Sequence, residues 1–94
     1  MPFVYLLRCH DASLYCGWTT DLERRLGEHA SGRGSRYTRS RLPVTLAAAW
    51  ETSDQRTARS LEGRIKRLQR PAKEALVAGT ALEDATRVTS CAAG

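Results

Sequence analysis

Residues Phe3 to His29, FVYLLRCHDASLYCGWTTDLERRLGEH, decide the fold: two β-type runs, each with an internal tyrosine, lead into a helix. The first run, Phe3 to Cys9, is aliphatic and aromatic. The second, Leu14 to Trp18, is shorter and ends in Gly17-Trp18, and His10 to Ser13 supply the turn between them. This spacing predicts a β-hairpin that brings Tyr5 and Tyr15 close in space. Register then sets their faces. If paired residue numbers sum to an even value, Tyr5 meets Gly17, Tyr15 meets Leu7 and both tyrosines share a face; an odd sum separates them.

The helix that follows opens on Thr20 with Glu23 three residues later, the spacing of a capping box. Leu22, Arg25, Leu26 and His29 fall on one helical face. An arginine and a histidine beside two packing leucines cost desolvation energy unless each finds a partner. Spacing alone fits equally well with Arg25 snorkelling to solvent and His29 bonded to backbone.

The triplets VYL (Val4 to Leu6) and YCG (Tyr15 to Gly17), followed by Thr20-Asp21-Leu22-Glu23-Arg24-Arg25 and by His29, resemble the signature of the GIY-YIG nuclease superfamily. Order and spacing make the resemblance specific, since either triplet alone recurs by chance. It runs from Phe3 to about Val77 and is closest to the small stand-alone bacterial type, with the nuclease module found in excision repair more distant. Cys16 replaces the isoleucine of the second triplet, and the late asparagine of some members has no counterpart, because the chain contains none.

The resemblance implies an α+β fold of order ββαβαα, a three-stranded antiparallel sheet packed with helices. It implies a nuclease-like domain over residues 1–79, which leaves 80–94 as a weakly ordered tail. The implied site comprises Tyr5, Tyr15, Arg25, His29 and Glu62. Glu62 would hold one Mg²⁺ or Mn²⁺, Arg25 would clamp the scissile phosphate, Tyr5 would act as base toward water, and Tyr15 and His29 would orient or assist. Only an even hairpin register builds such a site. A phenol's unperturbed pKa is about 10, and Arg25 and a metal nearby would favour the phenolate, so cleavage is expected to quicken with pH through the neutral range.

The chain has 94 residues and a formal net charge of +5, enough for one domain. The excess positive charge lies before Arg70. Arg33, Arg36, Arg39 and Arg41 follow one another with no acid among them, a pattern that suits phosphate although basic surfaces also occur on proteins that bind no nucleic acid. No apolar run reaches bilayer length and the first residues lack a signal-peptide layout, so a cytoplasmic protein is expected. Cys9, Cys16 and Cys91 lack metal-ligand spacing and read as reduced thiols.

Ser31 to Arg41, SGRGSRYTRSR, has no hydrophobic period and reads as a mobile loop, in which Tyr37 offers a stacking group among Arg33, Arg36 and Arg39. Val44 to Glu51 is the third strand, with Val44, Leu46, Ala48 and Trp50 expected on one face. Ser53 or Asp54 caps a helix whose stripe is Ala58, Leu61, Ile65 and Leu68. On this helix Glu62 lies four residues before Lys66, a spacing that also makes an ordinary surface ion pair. Gly63 beside it costs about 1 kcal/mol relative to alanine. Pro71 opens a last helix that Gly79 ends. The partner expected is DNA, single-stranded or branched, contacted by Arg24, Arg33, Arg36, Tyr37, Arg39 and Lys66; a catalytically silent nucleic-acid-binding module and a protein-interaction domain share these features.

Overall fold

The computed structural model describes residues 1–88. Its elements are β1 (Phe3–Arg8), β2 (Leu14–Thr19), α1 (Leu22–Ala30), α2 (Arg36–Arg39), β3 (Thr45–Glu51), α3 (Gln55–Lys66), α4 (Arg70–Ala78) and β4 (Thr86–Arg87). The expected α+β architecture is present. The antiparallel sheet has four strands rather than three, in the order β2-β1-β3-β4.

The β1–β2 register is even, with Tyr5 opposite Gly17 and Leu7 opposite Tyr15. Residues of alternating parity therefore enter two separate layers. Val4, Leu6, Cys16, Ala48 and Trp50 pack with Ala58, Leu61 and Ile65 of α3 and Leu76 of α4. Tyr5, Leu7 and Ala49 pack on the opposite face with Leu22 of α1, joined by half-buried Tyr15, Leu26, Val44 and Leu46.

Two elements differ from the sequence reading of β3 and of the segment after Gly79. Leu6 pairs with Ala48 but Leu7 pairs with Leu46, so Ala47 is an extra residue in a β-bulge. The bulge inverts the alternation, which is why Val44 and Leu46 join the α1 layer while Ala48 and Trp50 join the α3 layer. Thr86 and Arg87 form the fourth strand by pairing with Glu51 and Trp50. Arg87 is fixed there by its guanidinium, which lies over the Trp50 ring and donates to the Leu76 and Val77 carbonyls of α4. Two residues carry no readable period. The expected fraying of the last residues, and Cys91, fall at positions 89–94, outside the described residues.

Helix ends show smaller shifts. Asp21, not Thr20, caps α1 by accepting from the Arg24 N–H at 3.2 Å, while the Thr19 hydroxyl accepts from the Asp21 N–H. Asp54 caps α3. That helix stops at Lys66, so Leu68 lies past its end and is exposed rather than in the core stripe. The segment expected to be a mobile loop holds the one-turn helix α2, capped by Ser35, whose side chain accepts from the Thr38 N–H.

Candidate active site

The α1 layer gathers four of the five expected site residues. Tyr5 points its ring across its cross-strand neighbour, because Gly17 has no side chain: a Cβ there would lie 2.5 Å from the Tyr5 hydroxyl. Since β2 is the outer strand, the ring is directed toward the free edge of the sheet. The hydroxyl meets His29 Nε2 at 2.8 Å, and His29 Nδ1 meets the Thr38 hydroxyl at 2.9 Å. His29 is wholly buried, so both ring nitrogens need these partners.

One proton arrangement satisfies every group in this chain. The Ser35 hydroxyl donates to Thr38 Oγ1, and the Thr38 hydroxyl donates to the Ser35 carbonyl. His29 Nδ1–H then donates to Thr38 Oγ1, which leaves Nε2 free to accept from the Tyr5 O–H. Ser35 and Thr38 have no spacing relation to His29 that a periodicity could reveal. The available signal is chemical: a histidine on a packing face needs a partner for each nitrogen, and the next hydroxyls in the chain are in this segment. Gly34 belongs to the same unit, since a Cβ there would overlap the His29 ring.

Burial dominates the electrostatics of the pair. It pushes the Tyr5 hydroxyl up to about 12, against the opposing pull of the Arg25 guanidinium. Arg25 does favour the phenolate, as expected, but desolvation outweighs it. His29 is held below its usual range, first by burial and then by Arg25. Its neutral form is therefore the one the fold favours.

Arg25 is itself fixed. One Nη donates to Glu28 at 2.8 Å and the other to the Gly34 carbonyl at 2.8 Å, while the guanidinium keeps further donors and partial exposure. Tyr15 is half-buried, with its ring centroid 5.3 Å from that of His29 and 5.6 Å from that of Tyr37 in a stacked arrangement. Tyr37 also carries the Arg41 guanidinium over its ring and donates to the Ser13 hydroxyl, so its stacking partners lie within the protein.

Glu62 comes from the other layer. Helix α3 packs under β2, and the Cys16 thiol lies 4.0 Å from the Glu62 carbonyl. Lys66 Nζ is 3.8 Å from the Glu62 carboxylate and 5.8 Å from the centre of the Tyr15 ring, so the two candidate residues are within one lysine's reach at the β2 edge. Burial raises the Cys16 thiol to about 12, keeping it a protonated packing group. Glu62 has no short ion pair among the described residues and lines an open groove with Trp18. No group of three or more His, Cys, Asp or Glu side chains converges among the described residues. A lone accessible carboxylate suits a cation that retains most of its water shell.

The remaining basic residues are dispersed. Arg24 is exposed and paired with Glu28 at 3.5 Å, Arg33 donates to the Ser31 hydroxyl, and Arg36 and Arg39 project from α2 into solvent. No helix is long and apolar enough to cross a membrane among the described residues.

His29 also gives the fold a pH signature. Its folded-state affinity for a proton is lowered, so below about pH 6.5 the unfolded chain binds a proton that the folded chain resists, and stability falls as pH falls. Carboxylates that the fold favours as anions, such as Glu74 beside Arg8, weaken only at lower pH. The urea midpoint is expected to drop between pH 7.5 and 5.5, with most of the drop lost in His29→Gln. Equal midpoints in the unaltered protein would show that the fold accepts the imidazolium.

Comparison with known proteins adds relatives to this geometry. The family described as the GIY-YIG catalytic domain matches residues 1–75. The chain is similar to a UPF0213 protein of Halalkalibacterium halodurans, 42% identical over 90 residues that cover 94% of this chain and 96% of the relative. It is 49% identical over 72 residues to a UPF0213 protein of Streptococcus pneumoniae, covering 77% and 73% of the two. The solution NMR structure of a UPF0213 protein from Bacillus halodurans matches with a TM-score of 0.56 and 44% identity, over 85% of this chain and 86% of that one.

Proposed function

Because this chain belongs to the GIY-YIG catalytic-domain family, we propose that it is a divalent-metal-dependent endonuclease that hydrolyses phosphodiester bonds in DNA, selecting single-stranded or branched substrates. The observation that carries the reading is the Tyr5–His29–Thr38 chain, set beside Arg25 and directed toward the strand edge that Glu62 approaches from below. Glu62 would hold Mg²⁺ or Mn²⁺, which when bound supplies positive charge to the phosphate oxygens.

The chain's own groups supply the remainder. Arg25 keeps N–H donors for a phosphate oxygen while Glu28 and Gly34 hold the guanidinium in place. The Tyr5 oxygen takes the proton of the attacking water as its own proton passes to His29 Nε2, so no free phenolate forms. The new P–O bond forms as the bond to the leaving oxygen breaks, and that oxygen takes a proton from solvent. Thr38 accepts from Nδ1–H and stabilises the imidazolium that results.

The assay that tests this uses single-stranded, flapped and duplex oligonucleotides with Mg²⁺, with Mn²⁺ and with chelator. Cleavage that needs the metal and favours unpaired or branched DNA is expected. Binding without turnover in either metal would leave a silent nucleic-acid-binding module instead. Neutralising Arg33, Arg36 and Arg39 together is expected to weaken binding and reduce its log-log salt slope by about 0.7 for each single-strand phosphate no longer neutralised. An unchanged slope would mean that these arginines face solvent only.

A further inference from the structure

Trp18 sits on the outer strand, half-buried, and walls two open grooves at once. One, of about 660 Å³, is completed by Arg56, Arg59, Ser60 and Glu62. The other, of about 490 Å³, runs beside Arg24, Arg25 and Glu28. Trp18 is thus the ridge between the groove of the candidate metal-holding carboxylate and the groove of the candidate phosphate clamp.

The α3 side of this ridge is basic without an internal reason. Arg56 and Arg59 are exposed and have no ion-pair partner among the described residues. Gly63 is one turn beyond Arg59 on the same helical row. A Cβ built at Gly63 meets no atom of the described residues within 4 Å, so none of them requires a glycine that costs the helix about 1 kcal/mol. Two unpaired cations, an aromatic face and a bare helix surface therefore adjoin Glu62.

We propose that Trp18, Arg56, Arg59 and Gly63 form a binding subsite for single-stranded DNA, in which an unpaired base next to the scissile phosphate stacks on Trp18 and the following phosphates lie on Arg56 and Arg59. The inference rests on the nuclease reading above and names the strand track that reading lacks. A continuous duplex offers no free base face to Trp18, whereas a single strand does. Bare Gly63 lets the sugar-phosphate backbone approach the helix next to Glu62.

The chain has two tryptophans, and Trp50 is 2% exposed, so quenching by a stacked base reports Trp18. Titration of the full chain with single-stranded DNA in chelator is expected to quench its fluorescence, with little quenching by duplex of the same sequence. Trp18→Leu, which keeps apolar packing, should lose the quench and weaken binding roughly tenfold. Arg56→Gln with Arg59→Gln should reduce the salt slope by about 1.4, two single-strand phosphates at about 0.7 each. Gly63→Gln should raise the Tm and yet weaken binding at least fivefold, a combination that a purely structural glycine does not produce.

Binding and cleavage that persist with no Trp18 quench and with unchanged affinity in these variants would overturn the subsite while leaving the nuclease reading intact. Quenching equal with duplex, or stronger with RNA of the same sequence, would overturn the assignment to single-stranded DNA. Absence of any oligonucleotide binding would remove both readings.

Discussion

Glu62→Gln is expected to lower metal-dependent cleavage by about a thousandfold or more, since a metal ion contributes several kcal/mol to stabilising transition-state charge and each 1.36 kcal/mol is a factor of ten. Glutamine preserves shape and removes charge. The fold should hardly notice, because the carboxylate's one ion pair among the described residues is the 3.8 Å contact with half-exposed Lys66, the kind of i,i+4 pair worth about 0.3–0.5 kcal/mol. DNA affinity measured in chelator should likewise stay within a few-fold. Cleavage within threefold of the unaltered protein would return Glu62 to a surface ion pair and remove it from the site.

Tyr5→Phe is expected to cost about 10² to 10⁴ in cleavage rate with binding retained. The substitution deletes one oxygen from a fully packed ring and leaves His29 Nε2 without its 2.8 Å partner. A buried unsatisfied nitrogen costs about 1–3 kcal/mol, so the rate must be compared at a temperature where circular dichroism shows the variant folded. The pH profile identifies the path of the proton. With the Tyr5 hydroxyl at about 12, a route through free phenolate would quicken tenfold per pH unit across the whole neutral and alkaline range. Transfer onward to His29 predicts a rate that falls in acid, as the imidazole protonates, and is level above that. His29→Gln should then abolish the acid limb along with most of the rate. Near-normal cleavage by Tyr5→Phe with the same profile would reduce Tyr5 to packing.

The hairpin was legible from two short β-type runs and the turn between them, whereas its even register followed only from the requirement that both tyrosines share a face, with Gly17 opposite Tyr5. The stripe of Ala58, Leu61 and Ile65 was legible as a regular period on one helix. Irregularity defeated the reading elsewhere. Ala47 shifts the phase of β3 where its residues continue to alternate in sequence, and the Ala-rich run offers no mark of the bulge. The α2 turn is too short for a period and consists of residues that equally suit a loop. The site was legible as a set of residue types, but its wiring was not. Thr38 reaches His29 across nine residues of chain, a contact that obeys no helical or strand spacing, and the pKa of Tyr5 depends on burial that no local pattern states.

The position of β2 at the border of the sheet has a consequence for handling the protein. A border strand leaves half its backbone donors and acceptors available to another molecule's strand, and natural proteins discourage that addition with charge. Here the charges that stand beside β2 include Lys66 and Glu62, whose desolvation would oppose the approach of a second strand. Neutralising either one lowers that desolvation cost at the place where chains can join. A fall in turnover and a rise in self-association are thereby expected together in Glu62→Gln, and light scattering across a concentration series tells the two apart.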